Sequence, residues 1–171
     1  MATELTEMKE LLKHELGDLL YAERQFLRGM KKMAKEIADP TMKARVEEHA
    51  TETEGQIERL QQAFEAIGEK AKAEKCDAAI GLMEEHDSFK TDEKPSKTIL
   101  EAFDLGSGLR VEHYEIAGYR SAIALATALG QSECVTILQE NLLEEEAMAK
   151  FIEKNAVKSL KKLAQQAQTE A

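Results

Sequence analysis

The sequence has no tryptophan, only two prolines and two cysteines, and an aromatic content of 5%. With 33% charged residues, this composition reads as mostly helical and soluble. Two isolated cysteines, Cys76 and Cys134, exclude a disulfide framework and a cysteine zinc site. They read as buried or idle thiols of a reducing compartment. Basic excess is also missing: the formal charge is −10. That argues against nucleic acid or an anionic membrane as the main partner, since both require a basic surface. The Lys158, Lys161, Lys162 group is too small to reverse this and reads as the cationic end of a final helix. No long hydrophobic run occurs; the least polar stretch, near Ser121–Leu129, falls far short of a membrane span. The first residues lack a basic region followed by an apolar run, so no signal peptide is expected and the chain reads as cytoplasmic.

What is present is helical periodicity. Leu5, Met8, Leu12, Leu16, Leu19, Glu23, Phe26, Met30, Met33 and Ile37 recur three or four apart, which predicts a helix over about 4–37. Asp39-Pro40 ends it and opens a second helix over 40–67, with Asp39 as N-cap and Gly68 past its C-terminus. Its stripe holds Met42, Val46, His49, Thr53, Gln56, Leu60, Phe64 and Ile67. Residues 68–95 are rich in Lys and Glu and contain one short amphipathic piece around Ala78–Phe89. They suit a crossover with a short helix, being too long for a tight hairpin turn. Ser96 caps a helix over 96–129, and another over 131–154 follows Gly130 almost at once. The polar remainder, 155–171, keeps helical composition and is expected to fray or to dock in a partner. The plan is a single all-α domain over 1–171: two antiparallel hairpins joined by a long crossover, the ferritin-like four-helix topology.

Within that plan, glutamates stand where leucine belongs. Glu23 is flanked at helical spacing by Leu19, Leu20, Phe26 and Leu27. A lone buried carboxylate is costly, and the remedies are a proton, a cation or a metal ion. Glu23 and Glu52 stand equally far from the first turn, as do Glu115 and Glu144 from the second. The spacing from Glu23 to Glu115 equals that from Glu52 to Glu144. Two pseudo-symmetric hairpins, each presenting a level carboxylate pair, account for this arithmetic. His49 lies three residues before Glu52, and Glu112 three before Glu115, so each pair shares a helix face. Oxygen donors with one imidazole suit iron or manganese. The stripes leave Thr53 or Glu145 open as the inward residue in place of Glu52 or Glu144. Glu140, Glu145 and Glu146 read as surface or supporting residues, and His14, His86 and His113 as surface residues. Tyr21, Tyr114 and Tyr119 lie near the same height. Gly106, Ser107, Gly108, Gly118, Ser121 and Ala122 keep the third long helix slim enough for close packing or a ligand.

Tyr-Ala-Glu-Arg-Gln at 21–25, His49 through Glu52, Gly-Gln-Ile-Glu-Arg-Leu at 55–60, Glu-His-Tyr-Glu-Ile-Ala at 112–117 and Leu-Leu-Glu-Glu-Glu at 142–146 resemble the YciF-like family of bacterial stress proteins. That family belongs to the ferritin-like superfamily. The resemblance implies a rubrerythrin-type bundle with a dinuclear centre of two iron or manganese ions. By position it makes Glu23, His49, Glu52, Glu112, Glu115 and Glu144 the metal ligands. The superfamily's Glu-x-x-His on its second and fourth helices is departed from: here the second reads His-x-x-Glu, and Ala147 and Met148 follow the Glu144–Glu146 run. One imidazole is then available. Two functions are expected: redox chemistry on oxygen or peroxide, or non-catalytic stress protection with a weakly occupied or vestigial site. No cysteine-ligated iron module is visible, so rubrerythrin peroxidase activity is not expected. A storage cage is a weaker reading, since no basic N-terminal arm is seen. Apolar faces left over on the first and third long helices predict a homodimer.

Overall fold

In the computed structural model, which describes residues 5–170, all regular structure is helical: α1 (Met8–Met33), α2 (Pro40–Ala66), α3 (Asp77–Asp92), α4 (Lys97–Ala128) and α5 (Ser132–Glu170). No strand occurs among the described residues. The expected start of the first helix near residue 4 lies outside them. Glu10 reaches back to accept from the Glu7 backbone N–H at 3.3 Å, and this capping box sets the start of α1 at Met8. Its end falls at Met33, short of the predicted 37. There the chain tightens into i→i−3 bonds, Lys35 N to Lys32 O and Glu36 N to Met33 O. Pro40 then biases Asp39 to the extended conformation in which it is found. Asp39 accepts from the N–H groups of Thr41 and Met42 at 3.0 and 3.2 Å and so caps α2. Gly68 (φ 72°) and Gly130 (φ 69°) terminate α2 and α4 in the left-handed region.

α1 packs against α2, α2 against α5, α5 against α4, and α4 against α1, closing a ring of four long helices. α3 lies outside this ring against α1 and α4. It forms from the short amphipathic piece of the crossover, with the buried Cys76 sulfur accepting from the Ala79 N–H at 3.2 Å. Cys134 is also buried, and both thiols are free. Gly118 permits close approach of α4 and α1, since a Cβ there would meet Leu19 Cδ2 at 2.8 Å.

Residues 155–170, expected to fray or to dock in a partner, are helical. They continue α5, where Leu163 is buried and Lys162 pairs with Asp39 Oδ2 at 3.0 Å. The apolar content is low because one turn of contact, not a whole face, holds them to the bundle.

Candidate metal centre

At mid-height the ring's interior turns from hydrocarbon to carboxylate. Glu23 on α1, His49 on α2, Glu112 and Glu115 on α4 and Glu145 on α5 are all buried. Each occupies a position that helical periodicity turns inward, so the four helices bring their side chains together without any loop. His49, Glu112 and Glu145 each offer a ligand atom within 4.8 Å of the others. His49 Nε2 stands 3.3 Å from Glu112 Oε2 and 3.8 Å from Glu145 Oε2.

Four carboxyl groups thus face a single imidazole. Burial pushes the Glu23 carboxyl up to about 7, against the hydrogen bond from Tyr119 and the attraction of His49. Burial also raises Glu115 well above the carboxylate range, with repulsion from Glu23, Glu145 and Glu112 added to it. The same holds for Glu145, repelled by Glu112 and Glu23 and partly relieved by His49. For His49, burial alone would depress the pKa, but Glu112 and Glu52 override it and raise it to about 10. Dense negative charge with one counter-charge is a site that binds protons or a cation.

Orphaned oxygens point the same way. Glu23 Oε2, Glu112 Oε2, Glu115 Oε1 and Glu145 Oε2 are buried without a hydrogen-bond partner, as is Gln56 Oε1. Buried polar atoms are otherwise almost always paired. Their opposite oxygens are partly engaged: Tyr119 O–H donates to Glu23 Oε1, and Gln56 Nε2 donates to Glu145 Oε1 at 2.5 Å. Glu23 and Glu145 are therefore held from behind, with their Oε2 atoms left without a hydrogen bond. Oxygen donors around one imidazole fit a hard or borderline cation.

Two of the six expected ligands stand elsewhere. Glu52, 26% exposed, accepts from His49 Nδ1 at 2.8 Å and from Arg45 Nη1 at 2.9 Å. It fixes the imidazole so that Nε2 faces Glu112 and Glu145, as carboxylates behind metal-binding histidines do. Glu144, 28% exposed, turns outward and accepts from Arg59, while its neighbour Glu145, 1% exposed, takes the inward place. One residue on a helix is a rotation of about 100°. In the Leu-Leu-Glu-Glu-Glu run, Leu142 and Leu143 both resemble the apolar side, so local periodicity leaves the choice open. The internal repeat does not decide it, since one spacing relates Glu52 to Glu144 and Thr53 to Glu145 alike; the packing does, burying Thr53 and Glu145. Glu145, expected at the surface or in support, is thus the α5 member of the cluster.

A supporting network was not legible in advance. Asn141 Nδ2 donates to Tyr119 Oη at 2.9 Å and to the Gln56 carbonyl at 3.2 Å, and Asn141 Oδ1 accepts from Arg59 Nε at 2.5 Å. Tyr114 does not join the cluster; its O–H donates to Asp18 at 2.5 Å and lies 2.8 Å from Cys76 Sγ on the α3 side. Tyr21 packs there too.

Comparison with known proteins agrees over nearly the whole chain. The family model described as Domain of unknown function (DUF892) matches residues 7–168. Protein YciF of Escherichia coli (strain K12) is 34% identical over 142 residues, spanning 82% of this chain and 84% of that protein. The crystal structure of the E. coli stress protein YciF superimposes with a TM-score of 0.85 at 31% identity, covering 92% of this chain and 99% of that one. YcfI of Rhodopseudomonas palustris superimposes with a TM-score of 0.84 at 36% identity, covering 90% and 97%. On this evidence of sequence and fold, the chain belongs to the DUF892/YciF family.

Proposed function

We propose that this protein is a ferritin-like stress protein whose carboxylate layer binds iron or manganese and acts on oxygen or peroxide. The observation that carries the reading is the set of four buried carboxylate oxygens without a hydrogen bond, two of them beside one oriented imidazole. His49, Glu112 and Glu145 make the first metal position, since their donor atoms already lie together. Glu23 and Glu115 offer oxygens for a second ion, which would give the two-ion centre that the family resemblance implies. That second position has no imidazole. The place that the repeat relates to His49 is Asn141, whose side chain is taken by Tyr119, Gln56 and Arg59. The two ions therefore bind with unequal affinity, the His49 position filling first.

Bound iron or manganese supplies one-electron chemistry toward oxygen or peroxide. The chain's own residues do the rest. Glu52 holds His49 in orientation, Gln56 and Tyr119 hold Glu145 and Glu23, and Tyr119 places a phenolic proton next to the cluster. Entry of a cation displaces protons from His49 and the raised carboxyls, so binding strengthens as pH rises.

A second reading has its own observation. The same carboxyls can be neutralised by protons, given the upward shifts of Glu23, Glu115 and Glu145, which makes the layer a metal-free structural element of a stress-protection protein. Metal analysis of protein purified without chelator separates the two. Wild type should carry iron or manganese, and Glu112→Gln and Glu145→Gln should lose it. Equally negligible metal in all three, with iron and manganese supplied during growth, rejects the metal centre.

A further inference from the structure

The first ion position draws donors from α2, α4 and α5, whereas the second has Glu23 of α1 and Glu115 of α4 and none from α2. Gln56 of α2 is wholly buried, the one glutamine buried among the described residues, and its Oε1 has no hydrogen-bond partner. Two helical turns separate it from His49. Its side chain is tied to Glu145, and its main chain to the Tyr119–Glu23 pair. Asn141 Nδ2 donates to the Gln56 main-chain carbonyl at 3.2 Å and to Tyr119 Oη at 2.9 Å, and Tyr119 O–H donates to Glu23 Oε1. The amide can face only one way when the layer holds a cation. Glu145 is then an ionised carboxylate that accepts hydrogen bonds and donates none, so it takes the Gln56 Nε2–H, 2.5 Å away. The oxygen and nitrogen of an amide are about 2.3 Å apart, which keeps Gln56 Oε1 within about 5 Å of Glu145 Oε1. The donors around that oxygen are committed elsewhere: Thr53 Oγ1 to the His49 carbonyl at 2.9 Å, Asn141 and Tyr119 as above, and Arg59 to Asn141 and Glu144. A buried acceptor without a donor, close to carboxylate oxygens in the same condition, is a place for a cation.

We propose that Gln56 Oε1 is a ligand of the second ion, together with Glu23 Oε2 and Glu115 Oε1. The two positions then differ in kind. The first has an imidazole nitrogen, His49 Nε2, among carboxylates. The second has oxygen alone, two carboxylates and a neutral amide. Imidazole suits zinc and iron, whereas carboxylate and carbonyl oxygens suit harder cations such as manganese. Gln56 thereby makes the second position selective for a hard divalent cation, without adding another negative charge to the layer. This deepens the metal-centre reading and rests on it, but the Gln56 role can fail while the His49 position stands.

The test uses the full chain with one equivalent of Zn²⁺ to fill the His49 position, then a titration with Mn²⁺ read by electron paramagnetic resonance. Wild type should bind Mn²⁺ beside the Zn²⁺. With glutamine ¹³C-labelled at Cδ, electron–nuclear double resonance should show a ¹³C coupling to that Mn²⁺, and Gln56 is the buried glutamine that can supply it. Gln56→Met removes the oxygen and should weaken Mn²⁺ binding at least about tenfold. Gln56→Glu keeps an oxygen there but loses the N–H held against Glu145, and should stay within about threefold of wild type or bind more tightly. Equal weakening in both variants, or no ¹³C coupling in wild type with Mn²⁺ bound, overturns the proposal and leaves Gln56 only holding Glu145. The wild-type coupling decides alone if a variant does not fold. Bound Zn²⁺ with no place left for Mn²⁺ rejects the second position and this proposal with it, while the His49 position survives. Binding of neither ion rejects the metal-centre reading itself.

Discussion

The two ends of the bundle, on either side of the carboxylate layer, are built differently. At one end Leu12, Leu16, Leu60, Phe64, Cys134 and Leu138 are wholly buried in a single cluster contributed by α1, α2 and α5, closed by Tyr119, Ala122 and Ala126 of α4. At the other, the buried cluster is small, Ala34, Val46, Met148 and Ile152, and partly exposed Met30, Ile37, Leu109 and Phe151 surround it. The closed end is leucine and phenylalanine in close contact; the open end is methionine (Met30, Met33, Met42 and Met148) around a cavity of about 240 Å³. Packing density, and with it stability, is therefore concentrated on one side of the site, and adaptability on the other. A polar layer that would be intolerable in an isolated helix pair is held in place because the leucine end already fixes the four helices.

Truncation gives the largest contrast. Leu16→Ala at the closed end should lose about 2–5 kcal/mol in urea unfolding, from lost burial and a residual cavity. Met33→Ala at the open end, a half-buried position, should lose less than about 1.5 kcal/mol. Equal losses would mean that the two ends are packed alike.

The layer between them should respond to pH with an unusual sign. Glu23, Glu115 and Glu145 have folded-state pKa values above those of an unfolded chain, so the folded state binds more protons. Their contribution is present near pH 4.5 and below and is lost as pH rises through the folded values, about 7 for Glu23. His49, raised to about 10, adds stability below pH 6.5 that disappears as pH climbs to 10. Metal-free protein should therefore lose on the order of 1–3 kcal/mol between pH 5 and pH 9, measured as chemical denaturation at each pH. Glu115→Gln should flatten the profile. A metal-free wild type that gains stability over that range contradicts the buried, protonated layer.

Neighbouring glutamates provide a finer comparison. Glu145→Gln should weaken Mn²⁺ binding by about 10- to 100-fold, whereas Glu144→Gln, which loses only its partner Arg59, should change it less than about threefold. Titration with Mn²⁺ followed by electron paramagnetic resonance reads both, and a larger loss for Glu144 would return the expected ligand to the site. The smallest effect belongs to the open rim. Lys162→Ala breaks a half-exposed pair with Asp39 and should cost about 0–1 kcal/mol, falling toward zero in high salt. A larger loss would show that the last turns of α5 brace the cavity through that pair.

Much of this was legible in one dimension. The apolar repeats marked all four long helices, Asp39-Pro40, Gly68 and Gly130 marked their ends, and the short piece in the crossover became α3. Glu23 and His49 stand on apolar stripes, Glu115 follows from its level with the second turn and Glu112 from its three-residue spacing to Glu115, and all four are buried. Glu52 and Glu144 were misplaced by a single residue's rotation, because a three-glutamate run and a His-x-x-Glu pair each present two candidate faces. The C-terminal turns carry almost no periodic signal, because Leu163 is their one buried leucine among lysines and glutamines. The cavity was invisible, since methionines on a stripe read as ordinary core.

By itself, then, the sequence determined which segments are helical, where they turn and that carboxylates enter the core, because these follow from local hydrogen bonding and the 3.6-residue period. Only the tertiary structure decided which carboxylates meet, that Glu52 braces His49, that Glu145 replaces Glu144, and that one end stays open. Those outcomes depend on the rotation and height of each helix against its neighbours, set by many weak contacts between residues far apart in the chain.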